Sequence, residues 1–318
     1  MNQILKTTKY VVDNSTNVKI NKTKIKEFCK TFNKSHINHW INKSPFDLKT
    51  LNEKDRLHFL LIFNSISFCY WKEPKWTMEY KSEKFDGAWG MMATLGKSIE
   101  NNIPILDMKY LSNINEREFE KITKANIRIP LFEERLKTLR EISSVLVNKF
   151  KGDFSNLIKE ADKDVIKLLD LLIINFPSFN DYSLYKGKKV YFYKRAQLLI
   201  SDIFQAFDGK IYGNFKNPEE LTACADYKLP MVLRRLGILE YSKELTKKID
   251  NKVEIIKDSK EEIEIRSNTI WANEFIKQEL KKSILNINSI NINDHLWLLG
   301  QIKYPDGKPY HLTKTTAY

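Results

Sequence analysis

Apolar residues recur at helical spacing through most of this chain. Phe192, Ala196, Leu199, Ile203 and Phe207 are three or four positions apart, which places them on one stripe of a helix. The pattern therefore predicts a helix over 192–207.

More than one face of this helix is predicted to be buried, because two large apolar residues lie well off the main stripe. Lys194, Ser201 and Gln205 share the narrow face that remains. An amine is thus expected beside a largely apolar wall, and Arg195 is expected to pair with Asp202.

Similar periodicity predicts further helices over 23–32, 55–71, 115–124, 130–151, 164–176, 255–285 and 293–302. The segment 164–176 is apolar on nearly every side and is expected to be the central buried helix. Alternation over 76–85 predicts a short hairpin, and the EIEIR run at 262–266 resembles a strand. Residues 1–22 look like an irregular arm.

Two helix starts follow the helix over 192–207. Asn217-Pro218, with Glu220 three positions after the Asn, has the pattern of a capping box with a proline at the first helical position. Asp226 lies at the head of a second helix, with Pro230 in its first turn.

The composition agrees with one mainly α-helical domain. The chain has 318 residues, 42% of them hydrophobic, with only 10 Gly and 9 Pro, too few for a many-turned all-β fold. No repeat, linker or composition shift marks a boundary. We expect a single compact domain over 1–318 with at most a short β-hairpin.

The net charge of +13 is compatible with a nucleic-acid surface. The excess is mostly lysine and is scattered along the chain, which indicates biased composition rather than a binding patch. A non-catalytic basic helical protein that binds RNA or DNA is the rival interpretation, and it predicts salt-sensitive polynucleotide binding.

Metal-binding and membrane-spanning patterns are weak. Cys29, Cys69 and Cys224 are far apart and odd in number, so neither a disulfide framework nor a zinc site is expected. His36 and His39 have no third metal ligand nearby. No secretory signal or spanning segment is evident, so a reducing cytoplasm and no membrane are expected.

The stretch from Gly90 to Ser98 imitates a phosphate-binding loop. Five residues separate Gly90 from Gly96, where the loop requires four, and no apolar strand precedes them. Met91 and Leu95 add helical periodicity, so a nucleoside-triphosphatase is rejected.

Several segments together resemble the queuosine salvage proteins, the queuosine-5′-phosphate N-glycosidases. They are FNSISFCYW (63–71), FDGAWGMMA (85–93), NFPSF (175–179), YKRAQLL (193–199), ADYKLPMVLRRLGILEYS (225–242) and INDHLW (292–297). The ordered set carries the resemblance, and it spans most of the chain.

The resemblance implies a fold similar to the helical DNA glycosylases and hydrolysis of queuosine-5′-phosphate to queuine and ribose 5-phosphate. It also implies that no metal or organic cofactor is needed. A small-molecule substrate, no stable nucleic-acid complex and a monomer are expected. A glycosylase acting on a base within a polynucleotide is the intermediate alternative.

Asp226 is the candidate catalytic carboxylate. Breaking an N-glycosidic bond passes through a sugar cation, which needs an anion nearby. The alternative role is a helix cap, and the two roles are compatible because helix N–H groups favour the ionised form. Whether Asp226 stabilises the cation or orients water is left open.

The resemblance also implies the substrate contacts. Phe68, Trp89 and Tyr227 are expected to pack against the base, although plain core aromatics would show the same pattern. Cys224 stands where the family has Phe, so one stacking surface is altered. Lys194 is expected to bind the phosphate, the alternative being a solvated lysine.

A histidine near the start of the chain is expected to contact the substrate, and His39 matches better than His36. Asp294 is expected to hydrogen-bond the cyclopentenediol or the secondary ammonium of the base, unless it is a helix cap. Further departures from the family occur at Ala88, Gly96 and Met231.

Overall fold

The computed structural model describes residues 2–305 and 307–318, and it is mainly helical, as predicted. Its α-helices are α1 (Gln3–Asp13), α2 (Lys22–Thr31), α3 (Glu53–Ile66), α4 (Gly87–Glu100), α5 (Met108–Asn113), α6 (Glu116–Ile122), α7 (Phe132–Phe150), α8 (Phe154–Glu160), α9 (Val165–Asn175), α10 (Lys194–Ala206), α11 (Lys228–Arg235), α12 (Lys243–Asp250), α13 (Lys260–Leu280) and α14 (Ser289–Leu299). The similarity to helical DNA glycosylases stays a prediction.

Six short strands form three antiparallel pairs among the described residues. The strands are β1 (Val18–Ile20), β2 (Thr77–Tyr80), β3 (Glu83–Asp86), β4 (Tyr182–Tyr185), β5 (Lys188–Tyr191) and β6 (Leu239–Tyr241). The β2–β3 pair confirms the predicted hairpin, with Met78 opposite Phe85. The β1–β6 and β4–β5 pairs were not predicted.

The prediction of an irregular arm over 1–22 is wrong, because this segment contains α1 and β1. Asn2 caps α1 by accepting the N–H of Leu5 at 3.0 Å. Ile4, Thr8 and Val11 are buried on the face that packs against α13. Three buried positions in an otherwise polar segment were too weak a signal for a helix.

The strand-like EIEIR run is helical, so that prediction is also wrong. It lies in α13, where residues 262–274 are all buried. A helix that is covered on all sides needs no amphipathic stripe, and its sequence can therefore alternate like a strand.

The helix α9 is not the central buried helix. Only Val165, Leu168, Leu169 and Leu172 are buried, and Ile174 is 73% exposed. The central positions belong to α3, buried continuously from residue 57 to residue 66, and to α13. Apolar composition does not reveal how many neighbours a helix has.

The predicted capping box at Asn217 is absent. Pro218–Glu220 forms one 3₁₀ turn, and the Asn217 side chain accepts the N–H of Val165 at 3.0 Å.

The stretch from Gly90 to Ser98, which imitates a phosphate-binding loop in sequence, is part of α4, as its periodicity indicated. Phe46 packs so closely on Gly96 that any side chain there would displace the ring.

The apolar core consists of two clusters that share α13. Ile263 and Ile270 belong to the larger cluster, which also contains the buried side of α3 and α7. Ile265 and Ile276 belong to the smaller one, built around α2, α11 and α12. Trp297 on α14 packs against both clusters.

Candidate active site

A cavity lies where the two clusters meet. Six of the predicted site residues line it: Phe68, Trp89, Lys194, Cys224, Asp226 and Tyr227. Further walls come from Trp40, Phe63, Tyr70, Trp71, Asn293, Trp297, Tyr310 and Tyr318. The mouth carries polar side chains, namely Lys75, Asp86, Lys228 and Gln301.

Asp226 is both a helix cap and a wall of the cavity. Its Oδ1 accepts the backbone N–H groups of Lys228 at 2.8 Å and Leu229 at 2.9 Å, in the first turn of α11. Its Oδ2 accepts no hydrogen bond from any residue that the structure describes. The side chain is 7% exposed, so one carboxylate oxygen is fixed and the other remains available in an almost closed site.

The pKa of Asp226 is shifted upward, opposite to the direction expected from a helix start. Burial raises the pKa of this carboxyl, while the charge of Lys194 and the two helix N–H groups lower it. The helix start alone therefore does not make Asp226 more acidic than usual. Lys194 makes the largest of the contributions that lower this pKa.

Lys194 is the first residue of α10 and is 7% exposed. Its backbone N–H donates to Asp181 Oδ2 at 3.3 Å. Its ammonium group has no hydrogen bond or ion pair with any described residue. A buried ammonium with no direct hydrogen bond or ion pair is unfavourable by itself, and an anion bound beside it in the cavity would relieve this cost.

The predicted Arg195–Asp202 pair is wrong. The Arg195 guanidinium donates to the carbonyls of Ser65 and Ser178, and it lies 5.0 Å from the ring centroid of Phe68. Its burial against carbonyls, rather than a carboxylate, lowers the pKa of Arg195 to about 10. Arg195 thus supports one wall of the cavity from behind.

Asp202 instead lies behind another wall. Its carboxylate accepts Trp40 Nε1–H at 2.9 Å and Asn64 Nδ2–H at 2.8 Å, and the side chain is 0% exposed. Burial raises the pKa of Asp202 to about 8. The Trp40 ring, which faces the cavity, is therefore positioned by a buried acid.

Aromatic rings form much of the wall of the cavity that Asp226 lines. Trp89 meets Trp297 edge to face, with centroids 5.3 Å apart and planes at 89°. Tyr227 packs on Tyr310 at 4.9 Å. Trp297 and Tyr310 were not predicted as site residues, although the first lies in the INDHLW motif and was therefore detectable.

Cys224 holds its place through the backbone. Its N–H donates to Asn293 Oδ1 at 2.9 Å, and burial raises the pKa of the thiol. The side chain is therefore a small neutral wall where the family has a ring. Ala88 also lines the cavity, whereas Met231 lies outside it.

His39 and Asp294 contact each other beside the cavity and are not among its lining residues. His39 Nδ1 lies 3.3 Å from Asp294 Oδ2, which also accepts Gln205 Nε2–H at 2.8 Å. Asn293 Nδ2–H donates to Asp294 Oδ1 at 3.1 Å. Asp294 is inside α14, whose cap is Asn288, so its alternative role as a cap is wrong.

His36 is directed elsewhere. Its ring packs 5.0 Å from that of His295 and 5.4 Å from that of Phe32.

Among the described residues, no three His, Cys, Asp or Glu side chains gather as a metal site. No described helix combines the length and apolarity needed to cross a bilayer.

Tyr318, the last residue of this sequence, lines the cavity. Its hydroxyl donates to Glu262 Oε1 at 3.0 Å, and its carbonyl accepts the N–H of Cys69 at 2.8 Å. Arg266 joins Glu262 to Asp181, the residue that also accepts the Lys194 N–H. Only tertiary structure brings these groups together.

Comparison with known proteins identifies the family. The family described as "Queuosine salvage protein" matches residues 48–318. A relative from Sphaerobacter thermophilus, named queuosine 5′-phosphate N-glycosylase/hydrolase, is 40% identical over 262 residues, covering 82% of this chain and 81% of the relative. Relatives of the same name are 32% identical in Mus musculus, covering 82% of each chain, and 29% identical in Schizosaccharomyces pombe, covering 95% and 92%. With matches over this much of its length, the chain belongs to the queuosine salvage protein family.

Proposed function

We propose that this protein hydrolyses the N-glycosidic bond of queuosine-5′-phosphate, releasing queuine and ribose 5-phosphate. The observation that carries the proposal is the Asp226 carboxylate, whose Oδ2 accepts no hydrogen bond from the described residues, in an aromatic cavity that also contains the Lys194 ammonium. The names of the relatives describe the same reaction.

The chemistry follows from the position of the carboxylate. When the bond between the sugar and the base breaks, its electron pair leaves with the base and positive charge develops on the sugar. An anion whose orientation is already set by two N–H groups stabilises that charge without having to reorganise. Water then adds to the sugar carbon, and its proton is released as the base takes one up.

The aromatic walls serve the leaving base. Queuine is a 7-deazaguanine, so the ring nitrogen that purine hydrolases often protonate is absent. Binding energy from stacking on Trp89, Tyr227 and Phe68 must therefore help to hold the departing base, and edge and face contacts of this kind are each worth about 0.5–1.5 kcal/mol beyond area burial.

Lys194 is the proposed phosphate ligand. A phosphate beside its ammonium would supply the missing counter-ion in a water-poor site, where a charge-assisted hydrogen bond is about twice as strong as a neutral one. His39 and Asp294 then act through Asn293, which lines the cavity, rather than by direct contact. We also propose a cytoplasmic monomer that acts without metal or organic cofactor.

The test is release of queuine from queuosine-5′-phosphate by the wild-type protein and by Asp226→Asn. Asparagine caps helices as well as aspartate does, so α11 should persist while kcat falls about 10²–10³-fold. The matched control is Asp164→Asn, because Asp164 caps α9 through the same pair of N–H contacts and does not line the cavity. Unchanged turnover in Asp226→Asn would refute the role of this carboxylate.

A further inference from the structure

An open groove continues outward from the cavity along α11 and the loop after α14. Lys75, Asp86, Lys228, Gln301 and Tyr310 line both the cavity and the groove. The groove therefore adjoins the cavity at these five residues.

The groove is strongly basic. Arg235, Lys303 and Lys308 line it in addition to the two shared lysines. Asp86 is its one carboxylate among the residues that the structure describes, and Lys75 pairs with it at 3.1 Å. The remaining positive charge favours an anionic occupant.

Aromatic rings lie beside these cations. The guanidinium carbon of Arg235 lies 3.6 Å from the ring centroid of Tyr304, and Tyr310 packs against Tyr227 with the ring planes tilted by 40°. Cations interleaved with aromatic or guanidinium planes are the composition of sites that bind single-stranded nucleotides, since phosphates take the charges and bases stack on the planes.

The two ends of the combined site differ in access. Lys194 is buried and lines the cavity alone, whereas Lys228 lines the cavity and the groove. The groove therefore adjoins the Lys228 side of the cavity and not the Lys194 side. With the 5′-phosphate at Lys194, an extension of the substrate into the groove leaves from the end away from that phosphate.

We propose that the groove binds a nucleotide joined by a phosphodiester to the 3′ side of the substrate. The protein then accepts 5′-phosphorylated queuosine at the 5′ end of a short oligonucleotide and rejects queuosine that is extended on its 5′ side. This inference rests on the proposed function for the placement of the sugar and the 5′-phosphate. The supply reaction must then be an RNA cleavage that leaves a 5′-phosphate on queuosine.

The decisive experiment compares three substrates: queuosine-5′-phosphate, the dinucleotide in which uridine is attached to its 3′ side, and the dinucleotide in which uridine is attached to its 5′ side. The 3′-extended dinucleotide should have a KM about tenfold below that of the mononucleotide at low salt, since an added phosphate contact is worth roughly this much. The 5′-extended dinucleotide should not be hydrolysed.

The variant Lys303→Gln/Lys308→Gln should abolish the tenfold difference in KM and leave the mononucleotide within about twofold of wild type, because neither lysine lines the cavity. The control Lys167→Gln/Lys281→Gln removes two exposed lysines that line neither site. An unchanged KM ratio in the groove variant, or hydrolysis of the 5′-extended dinucleotide, would overturn the proposal.

A binding measurement separates this inference from the proposed function. A fluorescein-labelled uridine tetranucleotide with a 5′-phosphate should bind the wild type, and the groove variant should bind it about tenfold more weakly with a smaller dependence on salt. If no substrate is hydrolysed but this difference in binding persists, the proposed reaction is contradicted and nucleotide binding in the groove is supported. If inorganic phosphate displaces the tetranucleotide at equal concentration, the groove is a simple anion site and the inference fails.

Discussion

The two carboxylate oxygens of Asp226 have separate surroundings. Oδ1 accepts two N–H groups of α11, which fixes the side chain against the cavity wall, and Oδ2 accepts no hydrogen bond from the described residues. A carboxylate held in this way is oriented before substrate arrives, which is the condition for electrostatic stabilisation of a developing cation. The helix cap is therefore part of the proposed catalytic arrangement.

Replacing Lys194 by glutamine should separate phosphate binding from chemistry. Loss of a charge-assisted contact worth about 1.5–3 kcal/mol should raise the KM for queuosine-5′-phosphate about 10–100-fold, with much less effect on the unphosphorylated nucleoside. Steady-state kinetics on both substrates measures this difference. Equal losses on both would show that Lys194 does not bind the phosphate.

The same variant should change the pH profile in a defined direction. The Lys194 charge lowers the pKa of Asp226, so its removal lets burial raise that pKa further. The acidic limb of kcat/KM for the nucleoside should therefore move to higher pH. A limb that stays in place would contradict electrostatic coupling between the two side chains.

Asp202 makes a pH-dependent contribution to stability. Its pKa is raised from 3.8 to about 8 in the fold, so the folded state retains a proton that the unfolded chain releases. Its contribution to the free energy of unfolding must therefore fall as pH rises from about 4 to 8, by up to about 1.4 kcal/mol per pH unit. Urea unfolding of Asp202→Asn and wild type at pH 5 and pH 8 measures the slope. The variant should gain stability relative to wild type at the higher pH, and equal slopes would refute this.

At the scale of elements, several candidate site residues lie where a loop or strand joins the start of a helix, rather than in the middle of a long helix. Gly87 has a φ of +58°, which turns the end of β3 into α4 and brings Trp89 to the cavity. Lys194 and Asp226 lie at the first turns of α10 and α11. These three candidate site residues therefore lie near helix starts, where the first backbone N–H groups of the helix can donate to an anionic partner.

The helix α1 is attached to α13 by a buried polar contact. The Thr8 hydroxyl donates to the Ile4 carbonyl at 2.7 Å and accepts Trp271 Nε1–H at 3.1 Å. Thr8→Val keeps the shape but leaves the indole N–H unsatisfied, which should lower the free energy of unfolding by about 1–3 kcal/mol. Chemical denaturation checks this against Thr31→Val, an exposed helical threonine. A change as small as that of the control would show that the contact contributes nothing.

At the scale of the molecule, the cavity lies at the meeting of two hydrophobic clusters, and α13 contributes to both. We propose that the chain is one domain over 1–318, because separating the clusters would expose a helix that is buried on all sides. Such an arrangement makes the geometry of the cavity depend on the integrity of the whole core.

A single domain should unfold in one transition. Ile270→Ala in the larger cluster and Ile276→Ala in the smaller should each lower the same transition, by about 2–5 kcal/mol, because each leaves a cavity in a packed core. Circular dichroism and tryptophan fluorescence should then report coincident denaturation curves. Two separate transitions, each sensitive to one substitution, would instead show two domains.

The sequence alone determined the helical class, the β2–β3 hairpin, the family and the candidate site residues that short contiguous motifs identify. Periodicity identifies an amphipathic helix, and an aspartate followed by a first-turn proline identifies a helix start, because both depend on neighbours along the chain. Five of the six predicted cavity residues lie within the quoted motifs, and Cys224 immediately precedes one of them.

Only the tertiary structure decided which elements are central and which distant groups meet. The sequence cannot show that α9 is buried on one side only, that Arg195 binds carbonyls instead of Asp202, or that Asp294 accepts a hydrogen bond from Asn293. These outcomes depend on burial and on partners far away in the chain. Burial also sets the electrostatics, because the same carboxyl at a helix start is acidic in water and less acidic inside a nearly closed cavity.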